Sequence, residues 1–240
     1  MRRALGATLV LVAGCGGGGG PVTAPSWVER IAAARRVEPG RKPPLLVLLH
    51  GIGADENDLF PLARRLDPRL TAVSLRAPHD YATGHAWFHI DFLPGGKVVP
   101  DVEQARASLA ELIAWVEAAP ARLGTDPGRT VLLGFSQGAM MSLGVLRTIP
   151  DRLAGVVALS GRAAGDLFEA TAPRDAIARV PLLVAHGTLD DLLPVANGRQ
   201  TRDAFQDLSR DFTYREFPIG HGISEDEIDL VARWLAERLS

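Results

Sequence analysis

A chain of 240 residues, 47% hydrophobic and 22% charged, has the makeup of one globular domain with a full core. A formal net charge of -2 and the lack of any basic run exclude a nucleic-acid partner; Arg35 with Arg36, and Arg64 with Arg65, read as solvated surface pairs. The single cysteine, Cys15, excludes an internal disulfide, and the six histidines show no HExxH spacing, so a zinc site is not expected.

The chain opens MRRALGATLVLVAGCGGGGG. Arg2 and Arg3 form a positive start. Ala4 to Val12 is apolar but far short of the roughly 20 residues that cross a bilayer, and Ala13 and Gly14 are small residues ahead of Cys15. Val12-Ala13-Gly14-Cys15 resembles the lipobox of a bacterial lipoprotein signal. The resemblance implies cleavage before Cys15, lipid on that cysteine, and attachment to a membrane through acyl chains, each buried methylene contributing about 0.8 kcal/mol. The expected organisation is a signal peptide at 1–14, a lipidated Cys15 with a flexible glycine-rich tether over 15–25, and one folded domain over 26–240. The expected location is the bacterial cell envelope; a plain secretory leader, giving a secreted or periplasmic protein with Cys15 incidental, is the alternative.

Ala33 to Glu38 is predicted as an edge strand, followed by a turn at Pro39-Gly40-Arg41-Lys42. Leu45 to Leu49 is a continuous apolar run, the pattern of a strand buried on both faces. Asn57 to Leu66 reads as a short helix and Leu70 to Leu75 as another strand. Asp101 to Leu123 is a long helix. Val102, Ala105, Leu109, Leu112, Ile113 and Val116 keep its period, Asp101 with Gln104 suits a capping box, and Pro120 is expected to end or kink it. Thr130 to Phe135 is a strand and Gln137 to Ile149 a helix stopped by Pro150. Val156 to Leu159 and Leu182 to Ala185 are buried strands, Val195 to Leu208 is helical, and Thr213 to Phe217 is a strand. Ser224 to Leu239 is a last helix, with Ser224 and Glu227 as its capping box. Strands that alternate with helices argue an α/β domain with a mostly parallel sheet, helices on both faces, and chemistry at the carboxyl ends of the strands.

Gly134-Phe135-Ser136-Gln137-Gly138 stands where such chemistry belongs. It follows the apolar Val131-Leu132-Leu133 and opens a helix, the setting that makes a G-x-S-x-G match a nucleophile elbow. Residues two before and two after the serine must be small, as Gly134 and Gly138 are. The helix start points its dipole at a developing oxyanion. A serine hydroxyl needs a base, and the base an orienting acid. Asp190, in His186-Gly187-Thr188-Leu189-Asp190-Asp191, and His221, in Gly220-His221-Gly222, follow in the chain order Ser, Asp, His, each on a loop leaving a strand. Composition alone does not choose between Asp190 and Asp191.

These segments, with His50-Gly51-Ile52-Gly53, Ala54-Asp55-Glu56-Asn57-Asp58-Leu59, Arg76-Ala77-Pro78 and Ala86-Trp87-Phe88, resemble the phospholipase/carboxylesterase family, which includes the acyl-protein thioesterases. The resemblance spans roughly residues 45–239. It implies an α/β-hydrolase fold with little or no cap, and hydrolysis of a small-molecule acyl ester or thioester without a cofactor. It implies Ser136, Asp190 and His221 as the catalytic triad, and the backbone N–H groups of Ile52 and Gln137 as the oxyanion hole. Gly161 to Arg179 departs from the family pattern where substrate-facing loops often lie.

The remaining candidates carry two readings each. Trp87 and Phe88 are a substrate-binding wall for the acyl group or part of the core. His50 and His186 are expected to shape turns rather than act as bases. Of His79, His85 and His89, at least two are expected to face water. Met140 and Met141 are expected to pack. Alternative functions are a polysaccharide acetyl esterase or small peptidase on the same fold, or a non-catalytic, surface-tethered binding lipoprotein. An intact Ser, Asp, His set argues against the last. Oligomeric state is not encoded in any motif.

Overall fold

The computed structural model describes residues 27–93, 97–169 and 171–239. The expected signal peptide, Cys15 and the tether lie outside them. In chain order the elements are β1 (Glu29–Ala32), β2 (Leu45–Leu49), β3 (Thr71–Leu75), β4 (His79–Tyr81), β5 (Gly84–Ala86), β6 (Ile90–Leu93), β7 (Lys97–Pro100), α1 (Val102–Leu123), β8 (Thr130–Phe135), α2 (Gln137–Thr148), β9 (Gly155–Leu159), α3 (Arg174–Ala178), β10 (Leu182–Gly187), α4 (Ala196–Phe205), β11 (Phe212–Phe217) and α5 (Glu225–Arg238). Seven strands form one sheet, ordered β1-β3-β2-β8-β9-β10-β11. Within it only β1 runs antiparallel to its neighbour; β3, β2, β8, β9, β10 and β11 are mutually parallel.

The continuous apolar strands divide their side chains between two cores, because successive residues point to opposite faces. Leu45, Val47 and Leu49 pack with Leu109 and Leu112 of α1 and Met141 of α2. Leu46 and Leu48 pack with Ile228, Val231 and Trp234 of α5. The mostly parallel sheet with helices on both faces is the α/β-hydrolase architecture expected from the sequence. Strand order reverses between β2 and β8: β2 leads outward to β3, and the chain then crosses back to β8. The carboxyl ends at that reversal form a natural crevice.

Local expectations failed where distant residues decide the structure. The edge strand is β1, not Ala33 to Glu38. Glu29 pairs with Arg122 at 2.5 Å, while Arg30 bonds Asn57 and lies over the Phe60 ring. Arg35 and Arg36 both give their N–H to Pro68 O, which turns the following segment off the sheet. The helix expected over 57–66 is reduced to a 3-10 turn, Phe60–Arg64, with Pro61 inside it. Pro120 neither ends nor breaks α1, which runs to Leu123 and stops at left-handed Gly124, φ 67°. Half of the expected α1 capping box forms. Asp101 accepts from Gln104 N at 3.0 Å, but the Gln104 side chain instead accepts from His89 N at 2.9 Å. The α5 box is complete.

Candidate active site

The turn after β8 is forced by what surrounds it. Ser136 sits at φ 54°, ψ -115°, a conformation with a steric cost for any residue bearing a Cβ. The two flanking glycines make it possible. A Cβ at Gly134 would lie 2.2 Å from Gly138 O, and one at Gly138 would lie 2.0 Å from Leu49 O. The elbow is thus wedged against the end of β2, and the Ser136 hydroxyl stands above the sheet at the start of α2.

Loops from β10 and β11 meet it there. His221 Nε2 lies 3.0 Å from Ser136 Oγ, and His221 Nδ1 lies 2.6 Å from Asp190 Oδ2. Asp190 is buried, and its other oxygen accepts from Leu192 N at 3.1 Å and Leu193 N at 2.8 Å. Asp191 is exposed. His186, fully buried, gives its Nε2 hydrogen to Leu193 O at 2.7 Å and packs where Gly198 of α4 leaves no room for a Cβ. It braces the loop that carries Asp190, in keeping with a turn-shaping role.

The loop after β2 completes the site. His50 is buried. Its Nε2 accepts from Ala77 N at 3.0 Å and its Nδ1 hydrogen goes to Gly51 O at 2.7 Å, so both ring atoms are committed to backbone. Glu56 is held by Arg76 at 2.6 and 2.8 Å, and that guanidinium keeps the Glu56 carboxyl below its ordinary value. Gly53, at φ 80°, gives its N–H to His85 O at 2.8 Å, which joins the loop to the β4–β5 hairpin. Among the described residues, nothing accepts from the N–H of Ile52 or of Gln137. Both residues line the cleft that contains Ser136 and His221, about 440 Å³ in volume.

The wall residues separate. Phe88 lines that cleft, whereas Trp87 lies in the core, with its ring nitrogen on His50 O at 2.9 Å. Met140 also borders the cleft, and Met141 is core. His79, His85 and His89 are all half-buried, against the expectation that two face water. His89 Nε2 lies 3.0 Å from Asp80 O, His79 Nε2 is 3.3 Å from Ser108 Oγ, and His85 pairs with Asp80. His85 and His89 are four apart, yet among the described residues no three metal-ligating side chains gather.

The sequence reading missed the side chain of Gln137. Its Oε1 accepts from Trp87 N at 2.9 Å and its Nε2 gives a hydrogen to Phe88 O at 2.7 Å. One amide thereby clamps the cleft wall to the elbow. The only signal was a polar residue at a position the fold buries.

Burial pushes the His50 imidazole below its ordinary value of 6.5. The unfolded chain therefore binds a proton that the folded chain refuses, and stability falls as pH drops below that value. In a His50→Asn variant the loss of stability between about pH 7 and pH 5 is expected to be shallower than in the wild type. Urea titrations at several pH values measure it; equal slopes would mean that His50 protonates as readily in the fold as out of it.

A family model described as Phospholipase/Carboxylesterase matches residues 32–239. Acyl-protein thioesterase 1 of Saccharomyces cerevisiae is 26% identical over 228 residues, covering 88% of this chain and 98% of its own. Acyl-protein thioesterase 1 of Gibberella zeae is 31% identical, over only 48% of this chain and 51% of its own. Esterase YpfH of Escherichia coli is 26% identical, over 70% and 71%. The crystal structure of esterase PE8 superposes with a TM-score of 0.76 at 30% identity, covering 88% of this chain and 98% of that one.

Proposed function

Because this chain belongs to the phospholipase/carboxylesterase family and is a hydrolase of ester bonds, we propose that it works as a serine carboxylesterase or thioesterase through an acyl-enzyme on Ser136. The observation that carries this reading is the continuous line from Ser136 Oγ through His221 to buried Asp190, 3.0 and 2.6 Å long. Asp190 holds the Nδ1 hydrogen, so Nε2 is free to accept. Ser136 Oγ attacks the acyl carbon as its proton passes to Nε2, and the carbonyl electrons move onto oxygen. The unpaired N–H groups of Ile52 and Gln137 receive that oxyanion, helped by the α2 dipole; one such donor is worth about 3 kcal/mol. Collapse breaks the bond to the leaving oxygen or sulfur, which takes the proton from Nε2. Water then attacks the acyl-enzyme, giving one proton to His221. The second collapse releases the carboxylic acid and returns that proton to Ser136.

A fluorophosphonate probe tests the reading. Mass spectrometry should find the adduct on the peptide containing Ser136, together with turnover of nitrophenyl or thioester substrates. An unlabelled, inactive protein would support the binding-lipoprotein alternative.

The lipobox-like run supports a lipid anchor on Cys15 in the bacterial cell envelope. Expressed in a bacterium, the wild type is expected in the membrane fraction and Cys15→Ser in the soluble one. An intact, unmodified Met1 on the purified wild type would overturn the anchor.

A further inference from the structure

The cleft has two unlike arms. Ile90, Val98 and Pro100 come from the β6–β7 hairpin, in the segment that follows β3. Arg162 and Asp166 follow β9, and Asn197 lies at the start of α4 after β10. In the sheet, β3 lies on one side of the β8 elbow, and β9 and β10 on the other. The first arm is apolar; the second carries a donor, a charge pair and an amide.

The polar arm has a definite character. Arg162 and Asp166 form a two-point pair, Nη1 to Oδ1 at 2.5 Å and Nη2 to Oδ2 at 3.0 Å. The guanidinium beside Asp166 keeps that carboxyl below its ordinary value, so the pair is ionised with zero net charge. It uses two of the five guanidinium hydrogens. Asn197 gives an Nδ2 hydrogen to Pro194 O at 3.0 Å, and among the described residues nothing donates to its Oδ1. An anion entering here meets Asp166, and a cation meets Arg162. Neighbouring hydroxyl groups, which donate and accept, satisfy all three side chains, accepting from Arg162 and donating to Asp166 and to Asn197 Oδ1. Leu192, 76% exposed at the same rim, offers an apolar face to the C–H side of such a molecule. His221, which must protonate the leaving oxygen, comes from the loop after β11 on this same side.

We propose that Arg162, Asp166 and Asn197 form a subsite for the alcohol half of the substrate, and that this alcohol is a neutral polyol, as in an acylated glycerol or sugar. The assignment rests on Ser136 being the nucleophile. It gives the segment 161–179, which departs from the family pattern, a role in choosing the alcohol.

The test holds the acyl chain constant and varies the alcohol. Initial rates are measured on monooctanoylglycerol, octanoylglucose, methyl octanoate, octanoylcholine and the octanoyl ester of glycolate. The wild type is expected to show kcat/KM about tenfold higher for the two polyol esters than for the methyl ester, with both charged esters below them. Arg162→Met and Asn197→Leu are each expected to lower the ratio of polyol to methyl ester about 3- to 10-fold, the effect of one lost hydrogen bond. The wild-type ratio stands by itself should a variant fold poorly. Equal rates on polyol and methyl esters, or a preference for the choline or glycolate ester, overturn the subsite while leaving the nucleophile in place. No turnover of any ester, with Ser136 unlabelled, overturns both together.

Discussion

Ser136→Ala is expected to fold normally and to lose on the order of 10⁶ in kcat, the scale seen when a serine protease loses its nucleophile. Alanine also has a Cβ, so it meets the φ of 54° at the same steric cost that serine already bears. Among the described residues the hydroxyl makes one hydrogen bond, to His221 Nε2, which borders the open cleft and can turn to water when the partner goes. The remaining activity would come from the Ile52 and Gln137 N–H groups acting on a bound water. Ser160 is the next serine along the sheet edge and shares a positive φ of 47°. It is fully buried with its oxygen enclosed, so no ester can reach it. Nitrophenyl ester kinetics and fluorophosphonate labelling check both points. A Ser136→Ala protein that still takes the label would place the nucleophile elsewhere.

Asp190→Asn should lower kcat on the order of 10⁴, and Asp191→Asn should change it no more than a few-fold. The difference is geometric. Asp190 accepts at both oxygens, from His221 Nδ1 on one side and from two backbone N–H groups on the other. An asparagine has one oxygen and one NH₂. If its oxygen stays with the backbone donors, its NH₂ faces His221 Nδ1, makes that nitrogen an acceptor, and moves the ring proton to Nε2, where it can no longer take one from Ser136. If the amide flips, its NH₂ opposes the N–H groups of Leu192 and Leu193, a buried clash of donors. Asp191 is exposed and has no such duty. Steady-state kinetics on the two variants decide the register; a crippled Asp191→Asn with an active Asp190→Asn would show that the loop is shifted by one residue.

What was readable in the sequence follows from what each residue needs. Parallel strands buried on both faces must be apolar throughout, so β2, β8, β9 and β10 stood out as unbroken runs. The elbow was legible because Gly134 and Gly138 meet backbone at distances no Cβ tolerates. Asp190 and His221 were legible because the fold fixes their order along the chain. The two hairpins were not, since their residues answer to distant partners. Ala54 bridges His85 beside the loop after β2, although the β6–β7 hairpin did carry a turn signal in Pro94-Gly95-Gly96 that could have located it. Neither was the Gln137 clamp, which spans 50 and 49 positions to Trp87 and Phe88. No local period records a contact of that separation.

The direction of β1 sets the geometry of any leash on this molecule. Because β1 is antiparallel, Glu29 is paired with Leu75, the last residue of β3, and the chain enters the domain at the carboxyl edge of the sheet, the rim that holds Ser136. Trp27 already lies there, its ring centroid 6.0 Å from that of Trp87. Residues 16–26 separate it from Cys15, a span that reaches at most about 40 Å when fully drawn out. A lipid on Cys15 would therefore moor the domain at the carboxyl edge of its sheet, with Trp27 held within about that distance of the bilayer.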